Sequence, residues 1–205
     1  MRTTALLGCV AAVVAAFSSA PAHATGMIGQ RHLSATWQYT WVESAAFENG
    51  SGYSVFANMP FEGATPFDLS VGYNRFEKDG ARPQQPDITT NEWQGYLTLI
   101  GLESHNSIPF LRLGLGWADW SASDGNEADD GIYSISVGAE MFQNTEFTFT
   151  PFLTWTDSFG GDIDGRLTYG ATVEWSPSEY AGILVRLEGD DHYNFSAGIG
   201  AVVRF

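Results

Sequence analysis

The chain has 205 residues, enough for one domain with a sizeable core, and a formal net charge of −15 that excludes a phosphate-tracking, nucleic-acid-binding surface. Its 7 Trp, 8 Tyr and 14 Phe exclude disorder, while a charged fraction of 16% is low for a water-soluble domain. No run of about 18 apolar residues occurs beyond the N-terminus, which excludes a helical span from the mature chain.

The N-terminus reads as an export leader. Arg2 supplies a positive start, Ala5 to Phe17 an apolar stretch, and Ala22-His23-Ala24 a small-x-small cleavage site. Cleavage after Ala24 makes residues 1–24 the signal peptide and 25–205 the mature domain. Leu6-Leu7-Gly8-Cys9 imitates a lipoprotein box, but the apolar run continues past Cys9, where a lipobox would close it. Removal of the leader takes away Cys9, the single cysteine, so disulfide and thiol chemistry are excluded from the mature chain.

From Arg31 onward apolar residues recur at every second position, the period of strands rather than helices. Leu33, Ala35, Trp37, Tyr39 and Trp41 alternate with Ser34, Thr36, Gln38 and Thr40. Phe67, Leu69, Val71 and Tyr73 alternate with Asp68, Ser70, Gly72 and Asn74. Phe147, Phe149, Leu153 and Trp155 lie among threonines, and Leu167, Tyr169, Ala171, Val173 and Trp175 close the same pattern. The predicted strands are 31–42, 51–59, 66–76, 91–102, 109–120, 132–142, 147–157, 166–175, 181–188 and 193–205, ten in all, with 91–102 alternating least cleanly. Short turns follow the even strands and mostly longer, acidic loops the odd ones, as when strands run up and down between two environments.

Each strand therefore has one greasy and one polar face. The polar faces carry Gly72, Gly114, Gly116, Gly138, Gly170, Gly182, Gly198 and Gly200, small residues that suit the crowded interior of a narrow closed barrel. On the apolar faces, Trp41, Tyr53, Tyr73, Trp93, Trp117, Tyr133, Trp155 and Tyr193 gather near the long loops, and Phe67, Phe147, Trp175 and Phe205 near the short turns. Two aromatic belts are what the two interfaces of a bilayer select. The competing reading is a secreted β-domain with these aromatics in its core. The expected fold is all-β: a closed antiparallel up-and-down transmembrane β-barrel of about ten strands, with eight as the alternative.

The last strand, Phe195-Ser-Ala-Gly-Ile-Gly-Ala-Val-Val-Arg-Phe205, alternates and ends on a Phe. With the leader, the loop rhythm and the belts, it makes the chain resemble the bacterial outer-membrane β-barrel superfamily, in size the small OmpA/OmpX-like monomeric barrels. The resemblance implies outer-membrane localisation in a Gram-negative cell. It also implies Phe205 as part of the signal read by the barrel-assembly machinery, and outer-membrane lipids and lipopolysaccharide as surroundings.

Asp190-Asp191-His192 in the last long loop invites comparison with omptins, outer-membrane proteases whose rim acids and Asp/His pair activate a water. No second motif is placed as theirs is, Asp129-Asp130 being the nearest candidate, and omptins are much longer. Lipid A deacylases of the PagL type need a His-Ser pair facing lipid, and neither His32 with Ser34 nor His105 beside Ser104 and Ser107 has the spacing or the supporting acid. No nucleophile elbow, phosphate loop or zinc spacing occurs. Acid-rich stretches around Asp124, Glu127, Asp129 and Asp130, and at Asp162 and Asp164, resemble hard-cation loops without the full pattern, so weak Ca²⁺ or Mg²⁺ binding is the most they suggest.

Charges within the strands fall mostly on the small-residue face: Asp68, Arg112, Glu140, Arg166, Glu174, Arg186 and Arg204. Heights counted from the short turns favour pairing of Arg112 with Glu140 and of Glu174 with Arg186. Charges in so narrow a space must pair, so the sequence predicts a salt-bridged plug near the periplasmic mouth. The expected function is a non-enzymatic, monomeric barrel with a structural or surface-interaction role and no cofactor. A narrow channel for small solutes is the alternative, and an omptin-type rim protease a more remote one.

Overall fold

Alternation sets the architecture. The computed structural model describes residues 26–43, 47–61, 66–81, 85–104, 106–142, 145–161 and 164–205. The predicted leader and its cleavage point lie outside them. Among the described residues ten strands form: β1 (His32–Trp41), β2 (Phe47–Phe61), β3 (Phe67–Gly80), β4 (Ile88–Ile100), β5 (Ser107–Ala122), β6 (Glu127–Met141), β7 (Phe147–Ser158), β8 (Arg166–Trp175), β9 (Ala181–Asp190) and β10 (Phe195–Arg204). Each pairs antiparallel with its sequence neighbours, and β1 pairs with β10, His32 facing Arg204, so the sheet closes into a barrel. Following the registers once round the ring displaces the starting residue by about 12 positions, which tilts the strands roughly 40° from the barrel axis.

The barrel is built inside out relative to a soluble protein. Its buried residues are mainly polar, among them Ser34, Thr36, Gln94, Thr98, Ser134, Thr150 and Thr172, and few apolar side chains are buried. Its outer face exposes Trp37, Leu69, Val71, Trp93, Leu115, Trp117, Val137, Leu153, Ile183, Val185 and Ile199. A continuous apolar band of this kind is unstable against water and suited to hydrocarbon. The predicted belt aromatics lie on strands except Tyr193, which sits in the turn between β9 and β10, and Phe205, which follows β10. Tyr73, Trp93 and Trp117 stand in one cross-strand row, the first two with ring centroids 4.3 Å apart. Trp41 meets Phe195 at 5.6 Å, and at the short-turn end Phe61 stacks on Phe67 at 5.1 Å.

Two sequence expectations are corrected. Strands β2 to β6 run up to five residues further toward the long loops than alternation suggested, because the ladder continues through segments whose Gly, Asp and Glu content imitates a loop. The interior also holds large aromatics, Phe56, Tyr96, Phe110 and Phe152, and not only small residues. The glycines make their room: a Cβ at Gly72 would stand 3.1 Å from the Tyr96 ring, and one at Gly138 2.5 Å from the Phe110 ring.

Candidate functional site

All seven strand charges expected on the small-residue face, Asp68, Arg112, Glu140, Arg166, Glu174, Arg186 and Arg204, lie on the inner face, in two tiers. At the short-turn end His32, Asp68, Glu140, Glu174 and Arg204 are each at most 3% exposed, so every charge there needs a partner to offset desolvation. Arg204 on β10 reaches across β9 to Glu174 on β8, pairing through Nη2, while its Nη1 donates to Ser176 Oγ at 3.3 Å. The Ser176 hydroxyl donates in turn to Glu174. Gly182, on the intervening strand, opens the gap: a Cβ there would lie 2.7 Å from Glu174 Oε1 and 3.0 Å from Val202 Cγ1.

The other two acids draw backbone partners from outside the sheet. The segment Gly26–Gln30, which precedes β1, is folded into the short-turn mouth. Glu140 Oε2 accepts the backbone N–H groups of Met27 at 2.8 Å and Ile28 at 3.2 Å. Asp68 Oδ2 accepts the N–H of Gly29 at 2.9 Å and Asn58 Nδ2 at 3.0 Å. Asn58 Nδ2 also donates to the Gln30 carbonyl at 2.9 Å, and Arg204 Nε donates to the Gly26 carbonyl at 2.9 Å. His32 bonds the Gln30 carbonyl through Nδ1 at 3.0 Å and stacks on Phe56 at 5.9 Å. A capture of backbone amides by carboxylates has no side-chain signature, so charge pattern alone missed it. The available signal was Gly26 and Gly29 ahead of the first strand.

Above this tier stands Arg112. Its Nε donates to Thr98 Oγ1 at 2.9 Å, and its guanidinium lies over Phe56, Phe110 and Tyr96 at 5.1, 5.4 and 5.7 Å from the ring centroids. Cation–π contact in a water-poor space offsets part of the desolvation cost. The expected pair with Glu140 does not form. Arg112 faces Ser136 on β6, four residues up the strand from Glu140, a rise of about 13 Å. The expected pair of Glu174 with Arg186 does not form either. Arg186 faces Thr172, and its Nε bonds Glu188 on its own strand at 2.7 Å while its guanidinium covers Phe152 at 4.7 Å. Toward the long loops Arg166 meets Glu92 at 3.3 Å. The side chains of Arg166 and Arg186 are 43% and 41% exposed, so this tier is open to water.

The candidate cation ligands do not converge. Asp124 closes its own turn, accepting the backbone N–H of Asn126 at 3.1 Å and its Nδ2 at 2.8 Å. Glu127, Asp129 and Asp130 belong to β6 and not to a loop, so Glu127 and Asp129 point outward while Asp130 points inward and accepts Gly160 N–H at 2.7 Å. Asp162 lies outside the described residues. Asp164 is described, and no group of three or more acids or histidines among the described residues is arranged to hold a metal ion.

At the rim, His192 Nδ1 lies 3.2 Å from Asp191 Oδ1, with both side chains exposed. Asp190 is occupied by its turn, accepting the N–H groups of His192 and Asn194, each at 2.9 Å. Asp129 and Asp130, the second acidic pair, are split between the two faces of the wall. His32 and Ser34 face the interior and not lipid, and His105 lies outside the described residues. Phe205 follows β10, its N–H donating to the Arg31 carbonyl at 3.2 Å.

No protein-family model matches the chain, and no curated protein matches it in sequence. Similar structures exist. One is the NanC porin, at 11% identity and a TM-score of 0.52, covering 84% of this chain and 100% of that one. Another is the β domain of the Bordetella autotransporter BrkA, at 14% identity and 0.52, covering 86% and 99%. At these identities the likeness concerns the fold alone, a closed antiparallel β-barrel, and it leaves the OmpA/OmpX-like subfamily unconfirmed.

Proposed function

We propose that the chain is a bacterial outer-membrane β-barrel, exported by a cleaved leader, monomeric and non-enzymatic, with a structural or surface-interaction role and a lumen closed near its periplasmic mouth. The short turns and both chain ends then face the periplasm and the long loops the exterior, as strand number and loop rhythm require. Its surroundings are outer-membrane lipid and lipopolysaccharide, reached after insertion by the assembly machinery that reads the strand ending at Phe205. The observation that carries the closed lumen is its filled cross-section: Gly26–Gln30 in the mouth, the Arg204–Glu174 pair beside it, and Arg112 caged by three aromatic rings above. A ring of ten strands is only slightly wider than one of about eight, whose side chains just fill it.

The test is conductance. Protein purified from outer membranes and reconstituted in planar bilayers is expected to pass almost no current. Stable porin-like openings would replace this reading with the narrow channel, which the water-exposed Arg166 and Arg186 would then line.

A further inference from the structure

Resting on the closed-lumen reading, and going beyond it, we propose that residues 26–30 are a releasable latch seated in a receptor formed by the barrel wall, and that unseating them opens the barrel.

The geometry separates this segment from the wall that holds it. Among the described residues it pairs with no strand, and its bonds run to side chains of β1, β2, β3, β6 and β10. Consecutive residues are tied to opposite walls: the Gly26 carbonyl to Arg204 on β10 and the Met27 amide to Glu140 on β6, four strands apart on a ring of ten. The segment therefore crosses the mouth and does not line it. Ile28 is buried at its centre. Gly26 and Gly29 have φ of 125° and 71°, the left-handed values that fold so short a piece into a turn. At Gly26 a Cβ would also overlap the Glu140 carboxylate, so the receptor is shaped around bare backbone.

Release costs the barrel no ladder bond. Arg204 keeps Glu174 and Ser176, and Asp68 keeps Asn58. Once Met27, Ile28 and Gly29 leave, water replaces their amides at two carboxylates and wets the mouth as far as Arg112, which is itself only half-buried and does not seal the lumen alone. The carboxylates of Asp68 and Glu140, with Arg204, Asn58 and His32, thus hold a segment that among the described residues has no bond to the sheet's backbone ladder.

The experiment uses the full chain, exported and purified from outer membranes. Three proteins are compared in planar bilayers: the unmodified one, the double variant Asp68→Asn with Glu140→Gln, and Gly26→Val. Neutral acceptors weaken the seat and valine cannot enter it, so both variants are expected to conduct at least about tenfold more than the parent. Retained heat-modifiable migration shows that the barrel is intact. A closed parent with closed, folded variants overturns the latch and leaves the closed lumen standing. A parent that conducts overturns the closed lumen itself. Should a variant fail to fold, Ile28→Cys decides: a bulky maleimide should label it slowly in the seated state and raise conductance once attached. Labelling as fast as a free thiol, with no change in current, overturns the latch.

Discussion

Arg204 and Glu174 illustrate what a single gap in a wall permits. Both are buried, both are charged, and they meet only because Gly182 leaves the strand between them bare. Breaking such a pair leaves an uncompensated charge in a dry space. Arg204→Met or Glu174→Leu alone should therefore destabilise the barrel by roughly 3–5 kcal/mol, and the two together by less than either. Urea unfolding in lipid vesicles, followed by tryptophan fluorescence, measures both. A double variant as damaged as the sum of the singles would show that the two act independently. The sequence showed that these charges face inward, since parity along a strand decides the face. It did not show their partners. Height depends on stagger between strands, and the four-residue offset between Ser136 and Glu140 is invisible until the strands are paired.

Among the elements, β2 to β6 differ from the rest. They have 13 to 16 residues, whereas β1 and β8 to β10 have 10 each, so one side of the wall rises higher toward the long loops. Alternation identified every strand but ended these five early, where Glu77, Lys78 and Asp79, or Glu127 to Asp130, read as loop. Extending a strand through an acidic stretch throws alternate carboxylates onto opposite faces. That scattering is why a loop rich in oxygen ligands becomes a wall without a cage. Asp119 and Asp129 face one another across β5 and β6 on the outer surface, and the Asp119 carboxylate is already engaged by Asn91 Nδ2 at 2.8 Å. Divalent binding should accordingly be weak and salt-sensitive, with no rigid site of several ligands. Isothermal calorimetry is expected to show no Ca²⁺ affinity tighter than about 10⁻⁵ M; a sub-micromolar constant would restore a dedicated site on this side of the barrel.

For the whole molecule the decisive property is closure. Hydrocarbon offers the backbone no hydrogen-bonding partner, so a sheet that enters it must leave no edge, and the β1–β10 pairing satisfies this along ten residues. This was legible from the even strand count and the alternating last strand. Filling of the mouth by residues 26–30 was not, because that interaction belongs to backbone amides. A closed ring has no edge strand from which to peel, so unfolding must break a full seam of ladder bonds. The prediction is that protein extracted from membranes and left unboiled in SDS runs as a compact band, and that boiling moves it to the position of the unfolded chain. The shift should survive reducing agent, since the sequence has a single cysteine, Cys9, and one thiol cannot close an internal disulfide. Identical mobility before and after boiling would mean that the sheet is not closed in the membrane, and would reject the barrel along with every inference drawn from its interior.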